Sequence, residues 1–397
     1  MSGRILLCKG FSQYDVLRHF IDELAIAFRD LGRDVLVIDV ASDQYNPQIL
    51  QDAFSKECDF VCGFNLHGSD LGIGEEGIKF LKDVGIPYVG ILVDNPLYHL
   101  GKFKIINAVG MPDSFLITCV DKFQLENLAH CGKVSLGTFL PHAGSYAKDV
   151  KRYKSMDSRS NEVIFCGSYV KPDIAWRNHI MKPLFDDVAE VMLSKDNIQV
   201  NDALQQVLHM KSYVVGREFY KRILDIVVHV DGYVRAVRRS ALISELANAG
   251  IKLNLYGNGW ENLSCSRSVS IHNAVGFDEM LKIMADTKIV LNLANFFTYG
   301  SHERVFSAML NGAVALTDSN GYWQEQFIEN KEIVTYSVSK MDELPQKITT
   351  LLADLPQLDS LARAGRKKAE KFHTWKERAQ EIIQHVQMLD GFRALKG

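Results

Sequence analysis

The feature that most constrains this chain is a repeated alternation of short, unbroken apolar runs with stretches of helical periodicity. Between residue 4 and about residue 140 the apolar runs are Ile5–Cys8, Val35–Val40, Phe60–Phe64, Tyr88–Val93, Phe115–Val120 and Val134–Phe139. Helical patterns such as Val16–Leu31 and Glu75–Val84 lie between them. A strand that is apolar on both faces has to be covered on both faces, so the pattern specifies a parallel sheet flanked by helices. The rhythm resumes at Val163 and runs through Lys252–Tyr256, Val269–His272, Ile289–Leu293, Ala313–Thr317 and Ile333–Tyr336. A chain of 397 residues is too long for one ordinary core and suits two domains. The expected fold is therefore α/β, with two tandem Rossmann-like doubly wound domains.

The boundaries follow from where the pattern breaks. An N-terminal domain is expected over residues 1–142 and a polar linker without apolar period over 143–161. A second domain spans 162–375, and residues 376–397 read as a C-terminal helix. Within the second domain, about 174–249 reads as a helical insertion. Its run Leu224, Ile226, Val227, Val228 and Val230 is too apolar for a solvated face, so it is either core or a homodimer interface. Arg235, Arg238 and Arg239 form a basic cluster that reads equally as surface ion pairs or as cations reaching a ligand cleft.

Composition narrows the function. The net charge of −3 gives no basic field for nucleic acid or an anionic membrane. The seven cysteines form no CxxC and sit mostly in apolar runs, which predicts reduced, buried thiols and a cytoplasmic protein. The apolar run near the N-terminus is too short for a signal peptide, and no segment approaches the roughly 18 apolar residues of a membrane span. There is no DxD and no GxxxxGK[ST] phosphate loop.

In open α/β sheets ligands bind beyond the carboxyl ends of the strands, so the residues that follow strands are the candidates. In the second domain, Ser168 and Lys171 follow the first strand and suit a diphosphate. Gly257, Asn258, Gly259 and Trp260 form a turn with close backbone approach, and Trp260 either stacks on a ring or packs under the loop. Gly276 and Phe277 can meet a flat base. Asn295 follows another strand and leads to Ser301 and the triplet His302-Glu303-Arg304. That triplet opens a helix, whose free N–H groups and dipole suit a phosphate, and Arg304 can grip one bidentately. Glu303 suits a ribose or sugar hydroxyl. Asp318 ends a strand and either meets sugar hydroxyls or makes an Asx turn. In the first domain, His67 and Asp94 lead a set of strand-end residues as candidate bases on the opposite wall of a cleft. No metal ligands are proposed.

Four segments carry a resemblance: FCGSY, DGYVRAVRRSALISELANAGIKLNLYGNGW, IVLNLANFFTYGSHERVFSAMLNGAVALTD and EQFIENKEIVTYSVSKMDELPQKI. Over roughly residues 163–375 the chain resembles GT-B glycosyltransferases, in particular the group 1 branch that includes the CgeB-like proteins. The resemblance implies a nucleoside diphosphate sugar on the C-terminal domain, with no metal and no other cofactor. It places Gly257–Trp260 and Gly276-Phe277 near the base, and His302–Arg304 near diphosphate and sugar. The chain departs from the pattern in one respect: where many group 1 enzymes carry a pair of glutamates, it has Tyr299 and Ser307. The expected function is metal-independent transfer of a sugar to an acceptor that is a protein, a glycan or a small molecule. A nucleotide-sugar epimerase, a phosphorylase, and a non-catalytic nucleotide-binding or scaffold protein are the alternatives.

Overall fold

The computed structural model describes residues 3–110, 114–132, 134, 136–150, 153–263, 268–294 and 296–396. The chain divides into two compact units, Met1–Ala143 with Thr374–Gly397, and Gly144–His373.

The first unit is built on strands β1 (Arg4–Lys9), β2 (Val35–Asp39), β3 (Cys58–Phe64), β4 (Tyr88–Leu92), β5 (Phe115–Cys119) and β6 (Leu136–Phe139). They form one sheet in the order β2-β1-β3-β4-β5-β6, with every pairing parallel. Strands β4 and β5 are buried at all five positions each, as their unbroken apolar sequences require. The helix Val16–Asp30 turns Phe20, Ile21, Leu24 and Phe28 into this core, and each such side chain is worth roughly 1.5–3 kcal/mol of burial. The last helix, Trp375–Lys396, belongs to this unit although it is last in the chain. Trp375 packs on Phe20 and Phe64 with ring centroids 4.9 and 5.9 Å away, and Thr138 Oγ1 lies 3.1 Å from His385 Nδ1.

The second unit holds β7 (Asn161–Cys166), β8 (Leu253–Tyr256), β9 (Val269–His272), β10 (Thr287–Leu291), β11 (Val314–Asp318) and β12 (Val334–Tyr336). The order is β12-β11-β10-β7-β8-β9, again all parallel. Residues 174–249, expected to be helical, contain the helices Lys182–Leu193, Val200–Met210 and Arg217–Asn248. In the last of these, Ile223, Val227, Val230 and Val234 recur at helical spacing and are buried. Of the apolar run, Leu224, Val227 and Val230 are therefore core of the helical layer, and Ile226 and Val228 are half-buried. Arg238 is buried too, and donates to the carbonyls of Met192 (2.6 Å), Asp196 (3.2 Å) and Lys195. It thereby satisfies the end of a neighbouring helix and is neither a surface ion pair nor a ligand group.

The stretch expected to be a free linker is instead fastened to the second unit. Ser145 N donates to Ser307 Oγ (3.1 Å), Ala147 N to Asn311 Oδ1 (2.8 Å), and Asn311 Nδ2 returns to Ser145 O (2.9 Å). Tyr153 Oη donates to Leu310 O at 3.0 Å. The segment is held mainly by its backbone groups and the Tyr153 hydroxyl, while polar side chains such as Lys148 and Asp149 stay exposed.

Candidate functional site

The strand order of the second sheet fixes where a ligand site can form. From β7 the chain runs outward through β8 and β9, then returns to the other side of β7 as β10, β11 and β12. The direction of winding reverses between β7 and β10, and the connections diverge there to leave a crevice beyond the two carboxyl ends. The residues at that point are Gly167 and Ser168 after β7 and Asn292 after β10.

Three arginines converge on this crevice. Arg304 Nη1 donates to Asn292 Oδ1 at 2.8 Å. Arg239 Nη1 donates to Ser168 O at 2.7 Å. The Arg235 guanidinium lies 4.0 Å from the centroid of the Phe296 ring. They are close enough to repel one another: burial, then Arg235 and Arg304, push the Arg239 pKa down to about 10. Burial also lowers the pKa of His302, with Arg304 and Arg235 adding to the effect and Glu303 opposing it. The acidic counterweights are Asp231, 4.0 Å from Arg235, and Glu303, 2.5 Å from His302 Nδ1. A cluster in which cations outnumber carboxylates favours a polyanionic ligand. Arg235 and Arg239 come from the long Arg217–Asn248 helix, one turn apart. The sequence showed their i, i+4 spacing but not which face of that helix meets the crevice.

The triplet His302-Glu303-Arg304 sits where expected, at the start of the helix Glu303–Leu310. His302 is the N-cap and lies with Nδ1 3.2 Å from Arg304 N as well as against Glu303. These two partners require opposite tautomers, since Nδ1 accepts from the backbone N–H and donates to the carboxylate. The carboxylate contact is the shorter. Glu303 is thereby engaged within the protein through Oε2.

Other predicted residues divide into those that shape the crevice and those that face it. Trp260 is 0% exposed, donates from Nε1 to Gly167 O at 2.8 Å, and packs on Phe165 and Tyr169. It is a prop beneath the turn: of the two readings its position allowed, packing under the loop holds and stacking on a ligand ring does not. Gly257 lies against the first strand's loop: a Cβ there would stand 2.3 Å from Gly167 O. Gly259 adopts φ +86°, a conformation open to glycine. Asn258 N donates to Ser168 Oγ (3.2 Å) and Asn258 Oδ1 accepts from Ala274 N (3.2 Å), tying neighbouring loops together. Gly276 has open space where a Cβ would stand, whereas the Phe277 ring is buried. Lys171 is exposed on the loop after β7. Asn295 lies outside the described residues. Asp318 is 1% exposed, with Oδ1 accepting from Ala294 N (2.7 Å) and from Thr317 Oγ1 (3.1 Å). It is buried network rather than a contact for sugar hydroxyls, and burial raises its pKa to about 6. Ser307, at the position of an expected glutamate, is fully buried and holds Ser145 N. A longer, charged side chain has no water to meet there. The Tyr299 hydroxyl contacts the Glu325 carboxylate.

In the first unit, His67 and Asp94 follow the adjacent strands β3 and β4. Asp94 accepts from Asn65 Nδ2 at 3.0 Å, and Asn65 Oδ1 accepts from Val93 N at 3.1 Å. The His67 carbonyl is pinned by Tyr88 Oη at 2.7 Å. Its ring lines a recess of about 450 Å³ whose other walls include Phe11, Leu66, Ile78, Ile106 and Lys102. Burial, then Lys102 and His99, push the His67 pKa down to about 4, so the ring is neutral at neutral pH. Asp94 does not line that recess.

Among the described residues no helix is long and apolar enough to cross a membrane. The six cysteines among them are free thiols, and no group of three or more His, Cys, Asp or Glu is placed to hold a metal ion.

Residues 238–384 match the family model described as glycosyl transferase-like. No curated protein matches the chain. Several solved structures resemble it. AviGT4, a glycosyltransferase involved in avilamycin A biosynthesis, is 15% identical with TM-score 0.52 and 98% of each chain covered. HepE from Anabaena, in complex with UDP-glucose, is 13% identical with TM-score 0.54, over 97% of this chain and 100% of that one. An α-glucosyltransferase in complex with UDP and a 13-mer DNA is 11% identical with TM-score 0.56, over 98% and 100%. At these identities the likeness establishes the fold. The two parallel six-stranded sheets with flanking helices are the GT-B architecture.

Proposed function

We propose that this protein is a glycosyltransferase that takes a nucleoside diphosphate sugar and moves the sugar to an acceptor without a metal. The observation that carries the reading is the convergence of Arg235, Arg239 and Arg304 at the switch point of the second sheet, beside the N-terminus of the Glu303–Leu310 helix. The family match over residues 238–384 includes Arg239 and Arg304, and the structure of Anabaena HepE holds UDP-glucose on the same fold.

In the reaction the bond between the anomeric carbon and the diphosphate oxygen breaks, and the electron pair leaves with the diphosphate. The anomeric carbon gains a bond to the acceptor oxygen. Guanidiniums already in place neutralise the charge that grows on the leaving group, which is the role a divalent cation fills elsewhere. Lys171 adds a further cation on the loop after β7. The acceptor's proton passes to His67 or Asp94 if configuration inverts; the His67 ring is unprotonated at neutral pH, but a pKa of about 4 makes it a weak base. The largely apolar recess beside His67 fits an acceptor with some hydrocarbon surface.

A binding-only reading draws on one observation, the buried Ser307 where a glutamate was expected. Product analysis separates the readings. UDP-glucose, UDP-N-acetylglucosamine, GDP-mannose and TDP-glucose are incubated with the protein, alone and with an acceptor panel, in chelator. Release of nucleoside diphosphate supports the transferase. Interconverted donor sugar without acceptor would mark an epimerase, and unchanged donors that nevertheless bind would mark a binding protein.

A further inference from the structure

We propose that Thr317 and Asp318 are positioning residues for Arg304, acting through the side-chain amide of Asn292. The inference rests on the reading above that Arg304 meets the donor diphosphate.

The three residues Asn292, Thr317 and Asp318 lie on two adjacent strand ends and are all at most 1% exposed. Their hydrogen bonds run in one direction. Asp318 Oδ1 accepts from the Thr317 hydroxyl at 3.1 Å and from Ala294 N at 2.7 Å. Because the backbone N–H and the hydroxyl both point at Oδ1, the hydroxyl's single proton is committed to Asp318. Thr317 Oγ1 is then left with lone pairs only, and it accepts from Asn292 Nδ2 at 2.9 Å. That bond fixes which end of the amide faces which way. Nδ2 points to Thr317, so Oδ1 points to Arg304, where it accepts from Nη1 at 2.8 Å. The Asn292 backbone is held as well: its carbonyl accepts from Tyr336 Oη at 2.8 Å, and its N–H donates to Leu316 O at 2.8 Å.

An amide has two ends of nearly equal size and opposite polarity. Reversed, Asn292 would offer an NH₂ group to a guanidinium, donor against donor, and Arg304 would lose its anchor. The carboxylate and the hydroxyl thus act at a distance on the arginine. This arrangement accounts for a strand that is otherwise Val-Ala-Leu ending in two buried polar residues.

The test is isothermal titration of UDP and, separately, of uridine, which lacks the phosphates. The proteins are the wild type, Thr317→Val, Thr317→Ser and Arg304→Ala. Valine keeps the shape of threonine and deletes the proton that orders the chain. Thr317→Val is expected to weaken UDP about tenfold and leave uridine unchanged, and Thr317→Ser to restore the UDP affinity. Added to Arg304→Ala, Thr317→Val is expected to cost nothing further, because the arginine it positions is gone. If Thr317→Val does not fold, Asn292→Ala removes the last link and is expected to give the same split between UDP and uridine. Equal UDP affinity in Thr317→Val and wild type, or parallel loss of UDP and uridine, would overturn the proposal. Wild-type protein that binds none of UDP, GDP, TDP and ADP better than the matching nucleoside would overturn the diphosphate reading itself, and the relay's role with it; where another diphosphate is the one that binds, it replaces UDP in the titrations.

Discussion

The burial of Asp318 makes a quantitative prediction about pH. Its Oδ2 is buried and has no hydrogen-bond partner among the described residues, and burial is the main reason its pKa rises from 3.8 to about 6. The folded protein therefore holds a proton that the unfolded chain has released. A raised folded pKa means a stabilising contribution that is complete below the unfolded value of 3.8 and is lost as pH climbs through about 6. Integrating the two titrations gives about 1.4 kcal/mol at pH 5 and essentially none at pH 8. Asp318→Asn has no such titration. Its absolute stability includes a second effect, since the amide places an NH₂ where Oδ2 now stands unpaired, at a cost on the order of 1–3 kcal/mol. That cost does not vary with pH, so a double difference isolates the titration. The quantity to measure is the Tm of Asp318→Asn minus that of wild type, at pH 5 and at pH 8. For a unit of this size, 1 kcal/mol shifts Tm by roughly 2–4 °C, so the difference is expected to become more positive by about 3–6 °C at the higher pH. A difference that stays flat, or moves the other way, would refute the argument that Asp318 is held protonated by burial.

Two further predictions rest on single contacts. Gly257→Ala puts a Cβ 2.3 Å from Gly167 O, a backbone atom that cannot swing aside; it is expected to lower the urea midpoint by about 1–3 kcal/mol equivalent, and an unchanged midpoint would contradict the close approach of the two loops. His67 has its pKa pushed down to about 4, so it contributes stability that is present above its ordinary value of 6.5 and lost as pH falls through about 4. His67→Gln is expected to flatten the acid side of the stability profile between those values, and an identical profile would contradict the buried, neutral ring.

Much of this architecture was legible because parallel strands covered on both faces leave a strong sequence trace. β4 and β5 could be read from their unbroken apolar runs. The His302–Arg304 triplet was legible for a related reason: three ionisable side chains in a row between a buried strand and a helix start mark the strand's carboxyl end, where ligands bind. What was not legible depends on long-range packing. Trp260 follows a strand and two glycines, as a ligand-stacking ring would, but only the fold shows Gly167 O beneath its indole N–H. Arg235, Arg238 and Arg239 look alike in sequence. The turn of one helix sends Arg238 into helix-end carbonyls and the other two toward the crevice. The 143–161 segment looked like a linker because its hydrogen-bond partners, Ser307 and Asn311, lie 162 and 164 residues further along the chain. Tyr299 and Ser307 stood out as departures, and the reason for Ser307 emerged only from its buried bond to Ser145.

The arginine crevice is proposed above to hold a nucleoside diphosphate. Its most direct test is thermal denaturation of the wild type and Arg304→Ala with UDP, GDP, TDP, ADP and CMP, with and without chelator. A nucleotide at about a hundredfold its Kd adds about 2.7 kcal/mol of stability. A clear rise in Tm is expected with at least one diphosphate, unaffected by chelator and largely abolished in Arg304→Ala. A wild-type protein that no diphosphate stabilises, or an Arg304→Ala protein stabilised as much as wild type, would contradict it.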